Sequence, residues 1–446
     1  MASQPAKAPL TKAETLELRQ KHVSNALTLF FRENPLKIVR ASGQYMYDEN
    51  GTEFLDCINN VAHVGHCHPR VVQATSAQLA LQCTNSRYLH DNLVLCAQRI
   101  VKTMPKELSH VFFVNSGTEA NDLAVRLARH YTKNKDCIIL DHAYHGTSVT
   151  INDLSPHKFH HIKNYKLKRW VHVASQPDPY RGIYRSPEYT DKQLGQLYAK
   201  EVAEITQQIT DSGRGACLFL AESQQSCAGQ ILLPQGYLKP VYEAVRAAGG
   251  LCLADEVQTG FGRMGTHYWA FEEQGVVPDF VTIGKSMGNG FPVAALVTRA
   301  EIANVFLDAG IEFFNTYGGN AAACATAMAV MDVVEDERLM QHAKEVGDYL
   351  LDRLSVLKEK HAAVGDVRGK GLFLGIEIVK DRKNRIPDTE TAKIIISDLR
   401  HKNVILSVEG PKDNVIKIKP PMCFSKTDAD RLIALLDESL GKLPAV

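Results

Sequence analysis

The strongest constraint in this chain is an alternation. From about Val71 onward, short apolar runs at 109–114, 137–140, 217–221, 250–254, 280–283 and 294–297 are separated by longer windows, among them 120–132 and 238–248, whose apolar residues recur at helical spacing. Strands that alternate with helices predict a mainly parallel sheet covered by helices, because parallel neighbours need a crossover connection. In such folds most ligand sites lie beyond the carboxyl ends of the strands. Ahead of this region, residues up to about 33 read as a charged helical segment with Leu16, Leu18, Val23, Leu27 and Leu29 on one stripe. Residues 39–56 alternate about the turn Asp48-Glu49-Asn50-Gly51 and read as a β-hairpin. After Gly319 come helical runs at 321–334 and 339–360, strands at 371–378 and 415–418, and a last helix at 426–440. The expected organisation is an N-terminal segment, 1–70, a large α/β domain, 71–318, and a smaller α+β domain, 319–446, to which the N-terminal segment contributes.

A chain of 446 residues, 45% hydrophobic and 23% charged, can bury a large core. Its net charge of +1 and lack of long basic runs argue against nucleic acid and membrane surfaces, which leaves a small molecule as the expected ligand. The ten cysteines are scattered singly with no C-x-x-C pair, the pattern of reduced core thiols inside a cell. No apolar stretch approaches the ~18 to 20 residues of a membrane span. The first twenty residues set Lys7, Lys12 and Arg19 against Glu14 and Glu17 and lack a signal-peptide apolar region. Cytosol is expected, with mitochondrial import left open.

Two residues carry the chemistry. The run at 250–254 ends in Asp255, and Gly284-Lys285-Ser286 follows the run at 280–283. An acid fixed at a strand end can keep a pyridine nitrogen protonated, and a lysine amine nearby can form a Schiff base; pyridoxal 5'-phosphate chemistry needs both. Residues 111–114 run into Asn115-Ser116-Gly117-Thr118-Glu119-Ala120-Asn121, where a helix start would offer N–H groups and a positive dipole end to a phosphate. The plainer reading is a turn capped by Ser116 or Thr118. Tyr144, in His142-Ala143-Tyr144-His145-Gly146, could cover one face of a flat ring. Glu222 ends the run at 217–221 and reaches the same sheet edge as Asp255, while Gln258 could donate to a phenolic oxygen. Alone, Lys285 would read as a surface lysine; its place between Thr282-Ile283 and Met287-Gly288-Asn289-Gly290 argues otherwise. Two other patterns carry less. Gly260-Phe261-Gly262-Arg263-Met264-Gly265 matches G-x-G-x-x-G, yet it stands beyond its strand and leads into aromatic residues, not a helix. His63, His66, Cys67 and His68 lack a second cluster to complete a metal site, so no metal is expected there and a turn lining the site is.

Together these segments resemble the class III, fold type I aminotransferases over nearly the whole chain. The resemblance rests on residues 115–121, Tyr144-His145-Gly146, residues 253–263, Gly284-Lys285 and Asn315-Thr316-Tyr317-Gly318-Gly319-Asn320. It implies a large domain with a mainly parallel, seven-stranded-type sheet plus a smaller α+β domain from both termini. It also implies that Gly117 and Thr118 hold the cofactor phosphate, Tyr144 stacks on the ring, Asp255 meets the pyridine nitrogen and Lys285 bonds the aldehyde. Thr316 would reach the cofactor of a neighbouring subunit, which implies a homodimer or homotetramer. Relatives acting on amino acids usually carry an arginine where this chain has Lys417, in Ile416-Lys417-Ile418-Lys419-Pro420-Pro421, and a glutamate where it has Cys227. Lysine lacks the planar fork that grips a carboxylate but can meet a phosphate as a point charge. Residues 57–69, 84–92, 178–185 and 417–424 are similar to the family's phospho-lyases, and Asn59, Gln225-Ser226-Cys227, Met287 and Tyr317 favour those acting on O-phosphoethanolamine over 5-phosphohydroxylysine. The expected reaction is elimination of phosphate from a phosphorylated amine, with Lys417, Lys419, Arg368 and Arg181 as candidate phosphate ligands. The alternatives are an ω-aminotransferase using an amine donor and pyruvate or glyoxylate, and a catalytically silent binding scaffold.

Overall fold

In the computed structural model, which describes residues 9–443, the six apolar runs assemble into one seven-stranded sheet, with Val171–Ala174, which the sequence pattern does not mark, added at its edge. Its order is His110–Val114, Ala294–Thr298, Phe280–Ile283, Leu251–Asp255, Ala216–Glu222, Asp136–Leu140, Val171–Ala174. Ala294–Thr298 runs antiparallel to both neighbours, and the other pairings are parallel, as the alternation predicts. The central strands are buried along their whole length, which is why they read as unbroken apolar runs and not as a two-residue alternation. Helix Gly117–Thr132 sets Ala120, Leu123, Ala124 and Leu127 against Leu218, Leu220 and Leu253 on one face. Helices Asp191–Asp211 and Leu238–Ala247 bring Tyr198, Val202, Val241 and Val245 against Ile138, Phe219 and Cys252 on the other. The ten cysteines are free thiols. No helix among the described residues is long and apolar enough to cross a membrane.

A second, antiparallel sheet comprises Val364–Lys370, Phe373–Asp381, Val415–Ile418 and Ser407–Glu409, with Ile386–Pro387 pairing off Phe373–Asp381. A third combines Ile38–Ser42, Tyr45–Asp48 and Glu53–Asp56 with Val404–Ile405, which joins Glu53–Asp56 in parallel. The expected hairpin at 39–56 is therefore a three-stranded meander. Its anticipated turn is present, with Asp48 Oδ1 accepting from the amides of Asn50 and Thr52 and Gly51 at φ 82°. Gly43, at φ 57°, adds the turn that splits the first strand. The N-terminal helix is shorter than its stripe suggested. Lys12–His22 carries a capping box from Thr11 and Glu14, ends at extended Val23 and buries no residue, and Leu27 and Leu29 fall in the turns that follow. Residues 1–8, Lys7 among them, lie outside the described residues.

Candidate active site

The site is organised around Asp255, 4% exposed at the end of its strand. Asn121 Nδ2 donates to Asp255 Oδ2 at 2.9 Å, His145 Nδ1 lies 2.8 Å from the same oxygen, and Val257 N donates to Oδ1 at 3.1 Å. A helix, a strand-end loop and the strand's own continuation thus hold one carboxylate, and Asn121 also ties itself to the His145 carbonyl at 2.9 Å. Across the parallel register Glu222 stands beside Asp255. Its two oxygens accept from the amides of Tyr144 (3.1 Å) and Ser226 (2.9 Å). Burial pushes the Glu222 carboxyl above its usual range; His145 opposes that push and the Asp255 charge adds to it.

The strand-to-helix turn is capped as its plainer reading expects. Ser116 caps helix Gly117–Thr132 by accepting from Glu119 N at 3.2 Å, while Gly117 and Thr118 line the cavity in front of the helix. Close packing fixes this corner. A Cβ on Gly117 would come within 2.7 Å of Val257 Cγ2, and one on Gly146, at φ 130°, within 2.4 Å of Thr118 Oγ1. Gly284 carries the chain from Phe280–Ile283 into the short turn Lys285–Gly288, which leaves Lys285 half-buried on the cavity wall.

Gly117, Thr118, Tyr144, Glu222, Asp255, Gln258 and Lys285 therefore surround one cavity of about 390 Å³. Thr316 does not; it is exposed on the loop before helix Ala321–Asp336. Lys419 is fully buried, its Nζ donating to the Ser226 hydroxyl and, at 2.8 Å, to Gln258 Oε1, so it meets the cavity from behind its lining. Burial, with the like charge of Lys417 adding, pushes the Lys419 amine well below the usual lysine range. Lys417 is paired with Glu409 at 2.6 Å. The expectation for Arg181 and Arg368 is corrected: neither lines the cavity. Both bind the buried Glu377, Arg368 at 2.8 Å with a further bond to the Gly229 carbonyl at 2.7 Å, and Arg181 also reaches the Arg385 carbonyl. Arg368 finds its partners in Glu377, Asp366 and the Gly229 carbonyl, while Arg181 keeps one buried guanidinium nitrogen, Nη2, without a partner among the described residues.

Asn121 and His145, which hold Asp255, were not singled out from sequence. Signals existed: Asn121 lies one helical turn after Gly117, and His145 follows Tyr144. The histidine-rich turn disperses, with His63 on the Phe261 carbonyl (3.0 Å), His66 on Asp56 (2.7 Å) and His68 on Glu337 (3.0 Å); of the same stretch only Val61 lines the cavity. The G-x-G-x-x-G stretch serves packing. A Cβ on Gly260 would strike the Trp269 ring at 2.7 Å, and the buried Arg263 donates to the carbonyls of Leu372 (3.1 Å) and Pro420 (2.8 Å).

The residues present fit pyridoxal phosphate. The corner packed too tightly for any Cβ puts a helix N-terminus where a phosphate would sit, a fixed buried carboxylate faces the same space, and a lysine amine stands on its wall; the volume suits a small cofactor. Comparison with known proteins agrees. Residues 31–440 match the aminotransferase class-III family. A Drosophila melanogaster protein named alanine–glyoxylate aminotransferase 2-like is 54% identical over 97% of this chain and 87% of its own length. A Caenorhabditis elegans protein named ethanolamine-phosphate phospho-lyase homolog 1 is 46% identical over 96% of this chain and 94% of its own. The structure of a phospholyase from Arthrobacter in complex with phosphoethanolamine superposes with a TM-score of 0.91 at 36% identity, covering 96% of this chain and all of that one. This chain belongs to the class-III aminotransferase family, with its fold type I architecture and its cofactor, pyridoxal 5'-phosphate.

Proposed function

We propose that the protein is a carbon–oxygen lyase that eliminates phosphate from O-phosphoethanolamine, giving acetaldehyde, ammonia and phosphate. The observation that carries this reading is the pair Lys419 and Lys417: Lys419 meets the cavity from behind its lining through Gln258, and Lys417, on strand Val415–Ile418, is paired with Glu409. Lys419 is a buried amine among neutral acceptors, and Lys417 stands where amino-acid-specific relatives usually carry an arginine. A dianionic phosphate would draw Lys419 back to its charged form and compete with Glu409 for Lys417; a carboxylate would find no planar fork. The phosphoethanolamine held by the Arthrobacter phospholyase supports the same substrate class.

In this reading Gly117 and Thr118 hold the cofactor phosphate at the helix N-terminus, Tyr144 covers the ring, and Asp255, fixed by Asn121 and His145, meets the pyridine nitrogen. Glu222 and Gln258 border the ring, and Thr316 reaches the site of a second subunit in a homodimer. Bound there, pyridoxal phosphate supplies an aldehyde for exchange with the substrate amine and an electron sink for the carbanion beside it. The Lys285 amine, once displaced, takes the proton from the nitrogen-bearing carbon. The carbon–oxygen bond of the neighbouring carbon then breaks with its electrons leaving on phosphate, which Lys417 and Lys419 hold. The carbon that lost phosphate takes up a proton to become a methyl group, and addition of water at the nitrogen-bearing carbon releases ammonia and acetaldehyde.

The test is incubation with O-phosphoethanolamine, and separately with 5-phosphohydroxylysine, without any keto acid. Equimolar phosphate, ammonia and acetaldehyde from the first is the expected result. Strict dependence on pyruvate or glyoxylate would overturn the lyase reading in favour of an amine transaminase, in which Lys285 returns its proton toward the cofactor and not to solvent.

A further inference from the structure

We propose that Asp141, His142 and His160 form a binding site for one divalent transition-metal ion of the zinc class at the rim of the cavity. The three side chains offer one carboxylate oxygen and two ring nitrogens, all within 4.8 Å of one another. His160 Nε2 lies 2.7 Å from Asp141 Oδ1 and His142 Nε2 lies 3.5 Å from Asp141 Oδ2. A tetrahedral zinc with nitrogen and oxygen ligands at about 2.0–2.2 Å keeps its donor atoms roughly 3.3–3.6 Å apart, so adjustments of about an ångström seat the ion. Two imidazoles and one carboxylate match the preference of zinc and its transition-metal neighbours for nitrogen ligands with one oxygen, and differ from the all-oxygen shells of magnesium and calcium.

The ligands come from two segments that the sheet brings together. Asp141 and His142 follow strand Asp136–Leu140, and His160 follows the short helix Pro156–Phe159. Their side chains are between 30% and 44% exposed, which leaves an approach from solvent and a fourth coordination position for water. Burial pushes the His142 imidazole below its usual range; His160, Lys412 and His161 push the same way and Asp141 opposes them. Among the described residues, the contact between His160 and Asp141 is the competing arrangement, and an ion would replace it.

The site lies outside the cavity but touches its wall. Tyr144 is three residues beyond Asp141, and its ring meets His157 edge-on at 5.9 Å. A bound ion would pin the loop that carries Tyr144 to the turn that carries His157 and His160. This inference stands independently of which reaction the enzyme performs.

The experiment uses the cofactor-loaded protein, stripped with a chelator, dialysed against zinc chloride and assayed for bound zinc by elemental analysis. One zinc per chain is expected at micromolar free metal, and affinity falls about 10-fold or more in His160→Ala and in His142→Gln. The Cys67→Ser/Cys83→Ser double variant, which removes the two exposed thiols, should retain the zinc. Equal uptake by wild type and both histidine variants would overturn the proposal, as would uptake lost only with the two thiols or no uptake in the micromolar range. His160 is exposed at the surface, so its variant should keep the wild-type circular dichroism spectrum; should it not, His142→Gln decides alone.

Discussion

Asp255 owes its fixed position to neighbours that are not themselves acids or bases in the proposed reaction. His145→Ala and Asn121→Ala should each leave Asp255 less well aimed. We expect turnover to fall about 10- to 100-fold with an altered cofactor absorption band, while Asp255→Asn should cost about 100- to 1,000-fold; steady-state phosphate release and absorption spectra measure both. Lys419 gives a test that needs no substrate. Its folded-state value lies below the free-lysine 10.5, so between those values the unfolded chain binds more protons and stability climbs with pH. Lys419→Met removes the buried amine. The variant should melt higher than wild type at neutral pH, its advantage should shrink as pH rises toward 10.5, and its phosphate release should be lost; thermal melts from pH 7 to 10 follow the first two. At this scale Lys285, Asp255, Glu222 and Tyr144 were legible in the sequence because each stands at the end of, or just past, an apolar run. Arg181 and Arg368 were not, because the Glu377 that binds them both lies on another strand and no local pattern announces it.

Helix Gly117–Thr132 does two jobs, lining the sheet with its apolar face and presenting its first turn to the cavity. Gly117→Ala should disturb both. The added methyl has only 2.7 Å to Val257 Cγ2, so the corner must shift, which should weaken cofactor retention by roughly 10-fold or more, or about 1.4 kcal/mol, and cost the fold about 1–3 kcal/mol as overpacking does. Dialysis followed by cofactor fluorescence reads the effect. Six strands of the seven-stranded sheet were readable, the central ones because burial on both faces makes them continuous apolar runs; Val171–Ala174, a short edge strand with His172 and Val173 only half-buried, was not. Val364–Lys370 was missed for the opposite reason. Its sequence, Val-Gly-Asp-Val-Arg-Gly-Lys, has two glycines and three charges and is held in place by pairing with Phe373–Asp381. The N-terminal stripe erred the other way: helical spacing was present, but extended Val23 ended the helix before the stripe was complete.

At the scale of the whole molecule, apolar side chains gather where the resemblance places a second subunit. Tyr88, Leu89 and Tyr317 are largely exposed, and Phe314 partly so. Arg87 links the two segments, its guanidinium 4.0 Å from the Phe314 ring centre and paired with Glu312 at 3.2 Å. Such a patch beside Thr316 is expected to be covered by another copy. Sedimentation should therefore show a homodimer, and Leu89→Asp should yield monomer that loses cofactor on dilution. One further feature reaches beyond the mature enzyme. Leu55 of the amino-terminal meander finds its parallel neighbour only in Val404, close to the other end of the chain. On the ribosome the early strands must therefore wait, edges uncovered, until Val404 has been made. Newly made chains should thus depend on chaperones over that interval, and premature stops upstream of residue 404 should leave aggregating products in place of smaller working enzymes.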